Sequence, residues 1–96
     1  MPTLRILEGK RQQILEVARK HGIRNIRVFG SVGRGQESPF SDVDFLVDLE
    51  PGRSLMDLGG LLMDLEALLG CRVDVVTEQG LRPRLKPKIL KEAVPL

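Results

Sequence analysis

The chain has no tryptophan, no tyrosine and only three phenylalanines in 96 residues. Aromatic platforms on which single-stranded nucleic acid could stack are therefore nearly absent, and any core must rest on Leu, Ile and Val. The single cysteine, Cys71, excludes an internal disulfide and fits a reducing compartment. With no histidine beside it to form a thiolate, Cys71 reads as a small buried hydrophobe at the start of a strand. The single histidine, His21, has no acidic or thiol neighbour in sequence and reads as a packing or capping residue at a helix end. No apolar run reaches the length of a membrane span. The N-terminus is charged throughout and lacks the apolar core of a signal peptide, so a cytoplasmic protein is expected.

Net charge is only +2, but it is uneven. Residues 81–96 carry Arg82, Arg84, Lys86, Lys88 and Lys91 against Glu92 alone. The length suits one small domain, with residues 1–80 as its core and 81–96 as a basic tail of the same domain. That tail reads as a solvated segment in which Leu85, Ile89 and Leu90 could anchor a short helix after Pro87. Its functional alternative is a dock for an acidic partner or for nucleic acid. There is no internal repeat and no low-complexity tract.

Most of the chain reads as scaffold. Ile14, Val17, Ala18 and His21 fall on one face of a helix expected over 4–21, with Gly22 as its C-terminal stop. Residues 24–29 read as a first strand. Residues 36–41, with Pro39, read as a loop. Ser54 and Asp57 have the spacing of an N-terminal cap. Leu55, Leu58, Leu62, Leu65 and Leu69 repeat at threes and fours, predicting an amphipathic helix to about Leu69 whose stripe faces the core. Gly59 and Gly60 interrupt it at roughly 1 kcal/mol each relative to alanine, which close packing or a bend would explain. Arg72 to Thr77 reads as a third strand.

Two stretches carry chemistry. In Gly30-Ser31-Val32-Gly33-Arg34-Gly35, an apolar strand runs into glycines whose backbone N–H groups can turn inward on an anion. Ser31 adds a hydroxyl donor and Arg34 a guanidinium fork suited to phosphate oxygens. A short helical segment beginning near Ser31 would add free N–H groups. No Gly-Lys-Ser/Thr follows, so this is not a Walker A loop, and the glycine order is not that of a dinucleotide fold. In Asp42 to Leu49, residues alternate: Val43, Phe45, Val47 and Leu49 on one parity, Asp42, Asp44, Leu46 and Asp48 on the other. Period two predicts a strand, with Asp42 and Asp44 projecting together about 6–7 Å apart. Carboxylates that close repel unless a cation lies between them, and Mg²⁺ or Mn²⁺ suits such hard oxygen donors.

Taken jointly, Gly30-Ser31, ten residues, then Asp42-Val43-Asp44 resembles the signature of the polymerase-β-type nucleotidyltransferases. The fuller pattern matches at Gly30, Ser31, Arg34, Gly35, Ser41, Asp42 and Asp44. The short length resembles the minimal nucleotidyltransferase branch. The resemblance spans nearly the whole chain by element order, with its specific residues between Gly30 and Asp74. One small departure is Val32-Gly33, where that family often has a polar or small residue followed by alanine or a bulkier one. Glycine there is expected to add flexibility.

The resemblance implies an α/β (α+β) fold, a small mixed sheet flanked by helices. It implies transfer of AMP from ATP to an acceptor hydroxyl, with Asp42, Asp44 and Asp74 holding two Mg²⁺ or Mn²⁺ ions and acting in catalysis. Gly30, Ser31 and Arg34 would bind the nucleotide. The implied partner is a HEPN-domain toxin, modified on a hydroxyl and so silenced, which makes the protein an antitoxin. Nucleic acid and membrane are not expected partners, and a homo-oligomer is left open. Two other readings stand beside this one: an antitoxin that acts by complex formation alone, and a nucleotidyltransferase acting on RNA or a small molecule.

Overall fold

The computed structural model describes residues 4–33, 35 and 42–96. Helix α1 (Leu4–Gly9) and helix α2 (Arg11–Lys20) lead into strand β1 (Ile23–Phe29), which runs directly into a single helical turn, α3 (Gly30–Gly33). Strand β2 (Val43–Leu49), helix α4 (Leu55–Leu69) and strand β3 (Val73–Thr77) follow. After a short 3-10 turn (Glu78–Gly80) come helix α5 (Lys86–Glu92) and strand β4 (Val94–Pro95).

The sheet is mixed, in the order β3-β2-β1-β4. Strands β1 and β2 are antiparallel; β2 and β3 are parallel, joined by the α4 crossover. Strand β4 pairs antiparallel with Arg27 and Val28 of β1. The segment 81–96, expected as a solvated tail, thus supplies a helix and an edge strand. Backbone pairing to β1 fixes it, which charge and proline content could not reveal.

The core forms on one face of the sheet. Val43, Phe45 and Val47 are fully buried there with Val28, Leu7, Ile14, Leu61 and Leu65. Period two along β2 delivers these side chains to the face that α2 and α4 cover. The expected helix over 4–21 is two helices, parted at Lys10, whose amine donates to the Leu68 carbonyl at 3.1 Å.

The expected leucine stripe of α4 faces the core at every member but its first. Leu61 and Leu65 are fully buried, Leu58, Leu62 and Leu69 are partly buried, and Leu55 is 79% exposed. Leu61, which the expected stripe left out, is buried beside Leu65, because the helix is rich enough in leucine for more than one stripe to fit its period. Its start is as expected: Met56 N–H donates to Ser54 Oγ at 3.3 Å and Ser54 N–H to Asp57 Oδ2 at 2.9 Å. Gly70 ends it in the left-handed region, φ +67°.

Candidate active site

The parity that buries Val43, Phe45 and Val47 sends Asp44, Leu46 and Asp48 to the opposite face of β2. The parallel pairing with β3 sets Asp44 opposite Asp74, and the antiparallel pairing with β1 sets it opposite Phe29. Strand β1 then turns through Gly30, at φ +74°. A Cβ on Gly30 would run into the Asp44 carboxylate. Glycine is therefore needed at this position twice over, for the left-handed backbone and for the space that the carboxylate takes. The result is one compact corner in which the glycine turn, Asp44 and Asp74 adjoin.

The turn itself is tightly built. Val32 is buried at 2% exposure, and a Cβ on Gly33 would come within 2.9 Å of the Val28 carbonyl oxygen. The glycine at position 33 thus lets the turn close onto the strand before it, a packing role in place of the expected flexibility. The helical segment anticipated near Ser31 is α3. Arg34, Ser41 and the loop 36–41 lie outside the described residues, as does the side chain of Ser31.

Asp42 stands just ahead of β2. Its Oδ1 lies 3.9 Å from Nε of Arg72, and Val43 N–H donates to the Arg72 carbonyl at 3.1 Å. Asp44 and Asp74 are thus brought side by side, while Asp42 is engaged with Arg72 at the mouth of the same strand pair. Among the described residues, no group of three or more His, Cys, Asp or Glu side chains stands as a metal-holding set. The donors nevertheless suit a divalent cation by chemistry and by register: hard carboxylate oxygens on neighbouring strands, beside a glycine cradle that a Cβ would fill.

Two further polar constellations escaped the sequence reading. Farther along the carboxylate face, Arg27 Nη2 lies 3.4 Å from Asp48 Oδ2 and 3.8 Å from Glu78 Oε1. Asp48 also accepts from Asn25 at 3.1 Å. The shared parity of Asn25 with Arg27 and of Asp44 with Asp48 was the available signal. A cavity of about 300 Å³ opens beside this cluster, lined by Arg24, Arg27, Asp48 and Leu96 among others. The second constellation is His21, whose Nε2 lies 2.6 Å from Asp64 Oδ2 on α4. That contact, with Lys20 assisting, lowers the Asp64 carboxyl below its ordinary pKa. The expected packing role of His21 is what the structure shows. Its acidic partner lies 43 residues away in sequence, beyond the reach of local pattern. Partial burial and the nearby Glu66 raise the Cys71 thiol above its ordinary pKa.

Comparison with known proteins places this geometry. Residues 10–96 match the nucleotidyltransferase domain family. A Methanocaldococcus jannaschii protein provisionally named a protein adenylyltransferase is 42% identical over 88% of this chain and 90% of its own. The protein adenylyltransferase MntA of Thermococcus cleftensis is 44% identical over 82% and 80%. A solved structure provisionally identified as a minimal nucleotidyltransferase superposes with a TM-score of 0.87 at 47% identity, covering 99% of this chain and 97% of that one. A toxin–antitoxin structure with AMP-PNP shares the fold at a TM-score of 0.73 and 21% identity, over 88% and 69% of the two chains.

Proposed function

The chain belongs to the nucleotidyltransferase domain family, and we propose that it moves AMP from ATP to a side-chain hydroxyl of a HEPN-type toxin, acting as that toxin's antitoxin. One observation carries this reading: Asp44 and Asp74 are paired across β2 and β3 at the foot of the Gly30 turn. A phosphate-binding turn and a pair of hard anions at one corner are what phosphoryl-transfer chemistry requires. The relatives named as protein adenylyltransferases support a protein as acceptor. So does the exposure of Asp74, which a hydroxyl on a separate protein can reach. We place this chemistry in the cytoplasm. Among the described residues no helix is long and apolar enough to cross a membrane.

Asp42, Asp44 and Asp74 are the residues that would hold Mg²⁺ or Mn²⁺. Bound there, divalent ions would lower the pKa of the acceptor hydroxyl and neutralise charge on the triphosphate. The protein's own groups do the rest. Backbone N–H groups at Gly30 and Ser31 hold the β- and γ-phosphates, and Arg34 offsets their charge. The acceptor oxygen bonds to the α-phosphorus, the bond from that phosphorus to the bridging oxygen breaks, and pyrophosphate leaves. Asp74, on the exposed side of the pair, accepts the hydroxyl proton.

Incubation with Mg²⁺, α-labelled ATP and the co-encoded partner tests this. Label is expected on the partner and not when Asp44 and Asp74 are both replaced by Asn. If the double variant neutralises the partner as well as the wild type, with no label transferred by either, complex formation is the function. Label on RNA or a small molecule instead would move the acceptor.

A further inference from the structure

Strands β3 and β4 are the two edges of the sheet, so the chain between them has to cross it. It crosses on the carboxylate face. At its start Glu78 reaches Arg27, which also pairs with Asp48 of that face, and at its end α5 packs against the Gly30–Gly33 turn. Leu46, fully buried on the same face, is what such a crossing would cover. The basic segment of the chain is thus brought alongside Gly30, Asp44 and Asp74.

The cations of this segment collect on one side. Lys86 N–H donates to the Arg82 carbonyl and Ile89 N–H to the Leu85 carbonyl, each at 3.0 Å, so the preceding turn runs into α5 with helical hydrogen bonding. At 3.6 residues per turn, Arg84, Lys88 and Lys91 line one face, and all three are exposed. The opposite face, with Ile89, Leu90 and Ala93, is partly buried. Among the described residues no carboxylate pairs with any of these three cations, whereas Lys20, Arg27, Arg53 and Arg72 each have one. Like charges three and four residues apart weaken a helix, and nothing among the described residues offsets that here. An anionic surface outside the chain does.

We infer that the Arg84–Lys88–Lys91 face docks an acidic stretch of the protein that supplies the hydroxyl, and so holds that protein over Asp44 and Asp74. The inference rests on the reading of a protein as acceptor and adds where it is gripped. Charge selects the occupant first. Residues 81–96 hold five cations against Glu92 alone, in a chain whose remainder is net acidic, so an acidic partner surface is attracted here and repelled elsewhere. Composition favours protein over nucleic acid. Leu85, at 45% exposure, and exposed Pro83 and Pro87 stand among the cations, and the segment has no aromatic ring on which a base could stack. Direction favours a partner over the triphosphate. The basic face of α5 turns away from the side that packs on the chain, so it addresses a body lying over the site rather than a nucleotide within it. A protein held there is on the same face of the sheet as Asp44 and Asp74.

Calorimetric titration of the whole chain with the purified co-encoded partner, at about 50 mM and about 300 mM salt, tests this beside label transfer. Wild-type affinity is expected to fall about tenfold between the two. The triple variant Arg84→Glu/Lys88→Glu/Lys91→Glu is expected to bind the partner at least about 30-fold more weakly at the lower salt, with its KM for ATP within about twofold of the wild type. The same three positions changed to Gln should lose about five- to tenfold. Circular dichroism and urea unfolding confirm that both variants fold. A wild-type chain that does not bind the partner, or partner affinity that charge reversal leaves unchanged, overturns the inference. So does a raised KM for ATP with partner affinity unchanged, which would give the cations to the triphosphate. Loss of a short uridine oligonucleotide with partner affinity unchanged would give them to RNA and overturn it equally. The transfer reaction is judged separately: charge-dependent binding without label on the partner supports the dock and removes the transfer, and label with charge-independent binding does the reverse.

Discussion

Strand β2 has two faces that obey different rules. On one, Val43, Phe45 and Val47 are fully buried beneath α2 and α4. On the other, Asp44 and Asp48 flank Leu46, and polar partners arrive from β1 and β3. The same seven residues therefore carry both the core and the candidate chemistry, divided only by parity. Stability should be concentrated on one side and activity on the other. Leu46 complicates the division, since it is fully buried yet stands outside the main core cluster. The carboxylate face is thus packed in its middle and polar at its two ends.

That contrast can be broken most forcefully at Phe45. Phe45→Ala should cost about 3–5 kcal/mol, a large share of what a domain of this size has, and urea unfolding would measure it. Leu46→Ala should cost about 2–5 kcal/mol for the same reason. A neutral Leu46→Ala would mean that the carboxylate face is not packed at all. Next comes Gly30→Ala, which joins the two faces' properties. The left-handed backbone and the encroachment on Asp44 should together cost about 1–3 kcal/mol, and label transfer should fall about 100-fold through misplacement of the carboxylate.

Smaller effects separate the two glycines of α4. Gly59→Ala should stabilise the chain by up to about 1 kcal/mol, since among the described residues nothing lies within 4 Å of the added Cβ. Gly60→Ala should not, because the His21 ring must give way. Thermal unfolding of the pair would show opposite signs. The smallest effect concerns pH. The folded-state pKa of Asp64 is depressed by the His21 contact, so its contribution to stability is present above the ordinary carboxylate value. It is lost as pH falls through the lowered folded pKa. Asp64→Asn should therefore be slightly less stable than the wild type near neutrality and converge on it at acid pH, which flattens the acid limb of a urea-stability profile.

Much of this was legible from the chain alone because its signals are local. Alternation over 42–49 set the strand and its two faces, and Ser54 with Asp57 set the start of α4. The resemblance carried by the joint spacing of Gly30-Ser31 and Asp42-Val43-Asp44 implied that turn and carboxylates share a site, and the fold adds the close approach of Gly30 to Asp44. What failed to show depends on contacts distant in sequence. The pairing of Val94 and Pro95 with β1, the His21–Asp64 contact and the Arg27–Asp48–Glu78 group all join segments that no local period connects. The α4 stripe was right at Leu58, Leu62, Leu65 and Leu69 but took in Leu55 and left out Leu61, because leucine at nearly every inward and lateral position leaves periodicity without a unique answer. Only the sheet it packs against decides that Leu61 goes in and Leu55 stays out.

The division of labour along β2 is tested most directly at Asp44. Asp44→Asn keeps the shape of the side chain and removes its charge. Label transfer from ATP to the partner and urea unfolding should be measured on the same preparation. Loss of transfer by at least about 1,000-fold with stability within about 0.5 kcal/mol of the wild type is the expected result. Undiminished transfer would contradict the assignment of the carboxylate face as the reacting one.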